Sequence, residues 1–246
     1  MKNLAIIEPI PFTVGGNALG ASRLASVDPR EGTPPVTVAG ARQIDIDLGA
    51  PTLVDTVFLG YSFSSLFRTA TIFSGLNGYA EATQGQMLPA DSAGLPFRHY
   101  LFTAPVPFTA RFIRITLPFV VGQTLGCLLI GKAFSPAFGQ EWGAGRAIGD
   151  TGSATRLKGG GFGIDGGTSF VSYQWTFGDL SADETAQLYL IQRRRRTTGT
   201  VLVIEDPDAT PGLNERIHYG LFEKLSAYER LDPINTKWAL QVADWL

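Results

Sequence analysis

Short-range alternation constrains this chain more than any other feature: apolar and polar residues exchange places with a period of two, in runs closed off by Gly and Pro. Such a period sets successive side chains on opposite faces of an extended strand, so it selects sheets over helices. Gln43–Leu48 places Ile44, Ile46 and Leu48 on one face and Gln43, Asp45 and Asp47 on the other. Arg111–Leu117 repeats the pattern, with Ile113, Ile115 and Leu117 opposing Phe112, Arg114 and Thr116. Val54–Leu59, Thr69–Ser74 and Arg98–Phe102 read as further strands, and Leu125–Phe134 as a buried one. The 29 glycines and 15 prolines exceed the roughly 12% that these residues share in an average globular chain. Strands following one another about every 10–15 residues, with no helical pattern between them, predict an antiparallel sandwich.

A second block begins near Ser135. Pro136–Gly167 is rich in Gly and small polar residues, with Trp142 and Phe162 as its large side chains. Phe170–Phe177 then alternates, with Val171, Tyr173, Trp175 and Phe177 on one face. One helix follows. Ser181 is a suitable N-cap, Glu184 three residues on completes a capping box, and Ala186, Tyr189, Leu190 and Arg193 have helical spacing. Arg193, Arg194, Arg195 and Arg196 fall where positive charge suits a helix C-terminus. Thr200–Ile204 reads as a strand closed by the acidic turn Glu205–Asp208, and Ile217–Leu231 and Trp238–Leu246 as the last strands. The predicted architecture is mainly β: an antiparallel β-sandwich over 1–135 and a β-rich domain over 136–246 with one α-helix at about 181–195.

Composition removes several functions. At 246 residues and 44% hydrophobic content the chain can build a core without a metal or disulfide staple, and its single cysteine excludes an internal disulfide framework. A net charge of −2 provides no basic field for nucleic acid. The apolar run at the N-terminus, Leu4–Ile7, is too short for an export signal. No apolar stretch approaches the ~18–20 residues of a membrane span. These readings predict a soluble protein of a reducing compartment.

Chemical motifs are few. Gly161–Gly166 spells G-x-G-x-x-G, but that fingerprint holds pyrophosphate only between a strand and a helix N-terminus, and here Phe170–Phe177 follows as a strand. No P-loop and no G-x-S-x-G elbow occurs. His99 and His218 read as strand residues or hydrogen-bonding neighbours rather than bases, and Cys127 as a small hydrophobe in an apolar strand. Asp45, Asp47 and Asp55 read as the polar faces of strands. Glu205, Asp206 and Asp208 have turn composition, and a calcium site there lacks any supporting spacing. No catalytic residue, metal ligand or cofactor is predicted. The arginine run reads as dipole compensation at a solvated helix end, or as a contact to an acidic loop of a neighbouring subunit.

Ile44–Gly49, Val54–Gly60 and Ala110–Ile115 resemble the core of discoidin-like, galactose-binding-like jelly rolls over about residues 20–134. That resemblance implies a jelly-roll fold and makes Tyr61 and Phe63 candidate glycan contacts, although ligand loops vary freely on this fold. Ile130–Pro136, Lys158–Gly161, the helix with Val201–Pro207, Tyr219–Phe222 and Trp238–Val242 are together similar to proteins of tailed-phage tail modules, across nearly the whole chain. This second resemblance implies a non-enzymatic virion structural protein of a tail tip or baseplate, assembled in the host cytoplasm. Its implied partners are other tail proteins and further copies of itself.

The alternative implied function is a carbohydrate-binding module contacting host-surface glycans. A glycoside hydrolase would rest only on unassigned carboxylates. For docking, the candidate contacts are Arg193, Arg194, Arg195, Arg196 and the aromatic residue Trp142, with the Gly-rich stretch 139–167 beside them.

Overall fold

The computed structural model describes residues 4–92, 94–232 and 234–245. In chain order the strands are β1 (Leu4–Pro9), β2 (Thr13–Gly16), β3 (Gly40–Ser62), β4 (Ala70–Gly75), β5 (Ala82–Pro89), β6 (Arg98–Phe119) and β7 (Cys127–Phe134). They continue as β8 (Gly145–Asp150), β9 (Ser153–Arg156), β10 (Phe162–Asp165) and β11 (Ser169–Leu180). Helix α1 (Ala182–Arg195) precedes β12 (Thr200–Glu205), β13 (Ile217–Phe222), β14 (Glu229–Arg230) and β15 (Thr236–Asp244). The described residues are mainly β, with antiparallel pairing and one α-helix.

Two compact units emerge. The first takes the described part of Met1–Ser135 together with Leu202–Ile217, and the second takes Pro136–Val201 with the described part of His218–Leu246. Two contiguous domains were expected from the sequence, with Leu202–Ile217 in the second. Instead β12 pairs with β1, Leu4 opposite Glu205 through Ile7 opposite Leu202, which places this segment in the first unit.

In the first unit, β3 and β6 are the frame. The sequence reads each as two separate strands, Gln43–Leu48 and Val54–Leu59 on either side of Gly49-Ala50-Pro51, and Arg98–Phe102 and Arg111–Leu117. The structure keeps each as one long ribbon, with register irregularities between Asp47 and Thr52, Val54 and Thr56, and Leu59 and Ser62. Gly49, at φ 76°, adopts a backbone that L side chains rarely take, and there the ribbon bends without ending. The N-terminal half of β3 runs between β2 and the C-terminal half of β6, which also pairs with β4. The C-terminal half of β3 runs between the N-terminal half of β6 and β7, and the ladder continues to β1 and β12.

Inside, Ile44 sits opposite Ile115 and Ile46 opposite Ile113, all fully buried. Val57, Leu59, Leu128 and Ile130 join them in the same core. Each such side chain stabilises the fold by about 1.5–3 kcal/mol through burial. The outward positions carry charge: Arg114 grips Asp45 with two hydrogen bonds, 2.6 and 2.9 Å, directly across the ladder. Arg111 holds Asp47 at 3.1 and 3.3 Å. That contact, helped by the Gly49 N–H, keeps the Asp47 carboxyl below its ordinary pKa. Both guanidinium groups also lie over aromatic rings, Arg111 on Phe112 at 4.7 Å and Arg114 on Tyr79 at 5.3 Å.

The second unit orders its strands β13-β15-β11-β8, with β14 on β15 and a separate β9–β10 hairpin. Tyr173, Trp175 and Phe177 of β11 point inward, opposite Val242, Leu240 and Trp238 of β15. Tyr173 and Trp175 stack at 5.3 Å, and Trp175 meets Phe177 edge-on at 6.4 Å.

Replacing Ile115 by Ala should cost about 2–5 kcal/mol of unfolding free energy, whereas Val106→Ala, on an exposed side chain, should stay within about 0.5 kcal/mol. Denaturant titration of both variants checks this. Equal small losses would show that the β3–β6 register is misplaced.

Candidate functional site

The two aromatic residues singled out for glycan contact do not form a shared platform. Tyr61 is only 3% exposed. Its N–H donates to His99 Nδ1 at 3.2 Å, and its ring meets Phe97 and His99 at 5.0 and 4.8 Å. Tyr61, at φ 53° beside the register irregularity between Leu59 and Ser62, lies in the stretch Val54–Ser62 that is buried on both faces. Phe63 keeps 42% exposure and rests against Phe97 at 5.7 Å. Asp55 is also buried, not on a polar face. Its Oδ1 accepts hydrogen bonds from the Thr56 hydroxyl and the Ala133 N–H, both at 2.8 Å.

Both histidines are enclosed by structure. His99 is 2% exposed, and its backbone N–H donates to Asn214 Oδ1 at 2.6 Å. His218, 1% exposed, lies flat on Tyr173 at 4.8 Å with its Nδ1 3.1 Å from Asp244. Gly161–Gly166 falls in and beside the β9–β10 hairpin, without the helix N-terminus on which that fingerprint holds a pyrophosphate. Among the described residues no three His, Cys, Asp or Glu side chains gather as a metal cage, and no helix is long and apolar enough to cross a membrane.

What the second unit does present is an uncovered arm. Among the described residues of its unit β8 pairs with β11 alone, and beyond it β9 and β10 form a two-stranded hairpin. Thr151 and Thr168 clasp its base: the Thr151 N–H donates to the Thr168 carbonyl at 3.2 Å, and the Thr168 N–H to the Thr151 hydroxyl at 2.9 Å. Ile148, Phe162 and Ile164 are 82%, 60% and 79% exposed. Trp142 just before it is fully exposed. A lone hairpin is marginal in water, and apolar side chains on one add to the pressure to be covered.

A second feature lies along α1. Ser181 caps the helix: its hydroxyl accepts from the Glu184 N–H, and the Glu184 carboxylate accepts from the Ser181 N–H at 2.9 Å and the Ala137 N–H at 2.6 Å. One stripe of the capped helix then faces a groove of about 680 Å³, opposite Leu225–Tyr228 and Trp238. Tyr189 and Tyr228 are half-exposed, and Tyr228 leans on buried Trp238 at 5.1 Å. Trp238 Nε1 donates to the Ser226 carbonyl at 2.9 Å. Gln192 is buried in the wall, and its Nε2 has no hydrogen-bond partner. Of the predicted arginines, Arg193 and Arg196 line this groove while Arg194 does not; Arg195 is half-buried. Among the described residues neither Arg193 nor Arg196 has an ion-pair partner. A smaller groove of about 260 Å³ shares Tyr189 and Tyr228 and leads to Arg230 and Asp232. Sequence reasoning misses this site, because Tyr189 and Tyr228 lie far apart in the chain and neither belongs to a motif.

The cap gives the helix a pH dependence. Burial pushes the Glu184 carboxyl up, but the hydrogen bonds from Ser181 and Ala137 outweigh it and hold the group below its ordinary 4.5. A depressed carboxyl contributes stability that is complete above its unfolded pKa and lost as pH falls through the folded one. Glu184→Gln should therefore cost about 1 kcal/mol near neutral pH. The gap from the parent protein should close as pH falls below 4.5, as read by circular-dichroism melts across the pH range.

No family model matches the chain, and no curated protein matches it. Among solved structures, CBM32-1 from a family 31 glycoside hydrolase of Clostridium perfringens is similar over 50% of this chain and 96% of that chain, at 14% sequence identity and a TM-score of 0.40. So distant a likeness carries no argument about ligand or partner.

Proposed function

We propose that this protein acts by docking rather than by catalysis, as a structural subunit of a phage tail tip or baseplate, present in several copies in the virion. The observation that carries the reading is the β8–β10 arm, whose apolar side chains Ile148, Phe162 and Ile164 stand in solvent. Such side chains on a hairpin gain burial only from another molecule, and a second copy or a neighbouring tail protein supplies it. The arm's charges suit a partly polar interface, with Arg146 and Asp150 at the ends of β8 and Arg156 lying over Phe162 at 5.6 Å. Support also comes from the tail-module resemblance, which spans nearly the whole chain. In this reading the first unit supplies a rigid sandwich and the second supplies the contact surface.

Light scattering on the purified protein should show a concentration-dependent oligomer, and Phe162→Asp with Ile164→Asp should convert it to monomer with an unchanged melting temperature. A parent protein that stays monomeric at high concentration and binds no tail protein in a particle would defeat the proposal.

A further inference from the structure

We propose that the paired grooves along α1 bind an acidic carbohydrate, a chain of pyranose rings bearing carboxylates. This site is separate from the β8–β10 arm, and its failure would leave the assembly reading intact.

Three observations converge. The larger groove, at about 680 Å³, falls within the range of small-ligand sites. Its polar lining is rich in donors. Arg193 and Arg196 carry guanidinium forks with no ion-pair partner among the described residues, and the Gln192 amide nitrogen is buried without a hydrogen-bond partner. An unmade hydrogen bond on a buried amide is costly to leave standing. Two guanidinium groups beside such an amide select a carboxylate, whose two oxygens match the planar fork.

The third observation sets the shape of the ligand. Tyr189 and Tyr228 line both grooves, so the two hollows adjoin along these aromatic side chains. The puckered C–H face of a pyranose packs on such rings, while its equatorial hydroxyls reach outward to polar groups. The smaller hollow offers Arg230 and Asp232. Both carboxylate oxygens of Asp232 already accept hydrogen bonds, from the Ile234 and Asn235 N–H groups at 2.7 Å and from the Asn235 amide at 3.0 Å, and these hold the carboxyl below its ordinary pKa. Arg230 and Asp232 give this hollow one charge of each sign, whereas the larger groove presents two guanidinium groups, so a ligand carboxylate is held against Arg193 and Arg196. A chain of at least two rings therefore has one orientation, with its acidic ring against the arginines.

Isothermal titration of the full-length protein with three acidic probes, galacturonate trimer, a hyaluronan tetramer and an α2,8-linked sialic acid trimer, tests the site against maltotriose and a Glu-Glu-Glu peptide. The expected result is saturable binding of at least one acidic oligosaccharide, weakened by added salt and absent for the other two probes. Arg193→Ala and Arg196→Gly change exposed side chains, and glycine suits the φ of 56° at position 196. Together they should weaken binding roughly tenfold or more, as should Tyr189→Ala, whereas Trp142→Ala should change nothing. Failure to bind any acidic probe overturns the proposal. So does equal binding of maltotriose or the peptide, or full affinity in the double arginine variant.

Discussion

The pairing of β3 with β6 is the constraint from which the first unit follows. Because Ile44 faces Ile115 and Ile46 faces Ile113, a slip of one residue would throw the buried set into solvent and bring Asp45 and Arg114 into the core. The Asp45–Arg114 and Asp47–Arg111 pairs sit on the other face of the same ladder, at positions that alternate with the isoleucines. They are partly exposed and each worth little alone. Their value is positional, since they are satisfied only in the register that the isoleucines prefer. With the register fixed, the bulges decide the rest: they bend both ribbons so that each contributes to both halves of the ladder around one core.

The second unit spends its order differently. Its aromatic core on β11 and β15 is tightly paired, yet the chain before it runs outward through β8, β9 and β10 with little cover. Helix α1 stands between these styles. The Ser181–Glu184 cap fixes where the helix starts, and that start sets which side chains fall on the groove stripe. Shifting the first turn by one residue would rotate Tyr189, Gln192 and Arg193 about 100° away from Tyr228. A cap at one end thus positions the binding chemistry at the other.

What could be read in advance was whatever depended on neighbours in sequence. The alternation of Ile44, Ile46 and Leu48, the inward face of β11 and the capping box at Ser181 are local patterns with one physical solution each, and the structure has them. The sequence divides β3 at Gly49 because glycine and proline usually end a strand. Here they mark a bend within one, and nothing local separates the two cases. Asp55 is misassigned because β3 is buried on both faces from Val54 to Ser62, so alternation no longer marks a solvent side, and Tyr61, a candidate only through the jelly-roll resemblance, lies in the same covered stretch. β1, a short apolar run at the chain's start, becomes a central strand only because β7 and β12, distant in sequence, arrive on either side. The α1 groove is illegible for the same reason, since Tyr228 and Trp238 reach it through the fold of the last strands.

The membership of Leu202–Ile217 in the first unit has a consequence during synthesis. β1 leaves the ribosome well before its partner β12, which follows about two hundred residues later. At the usual pace of ~5–20 residues per second, Leu4–Ile7 waits many seconds with one row of backbone donors and acceptors open. An unclosed ladder edge of apolar residues is a template for any stray strand. The nascent sandwich is therefore most vulnerable to mispairing while the arm and the helix are still being made.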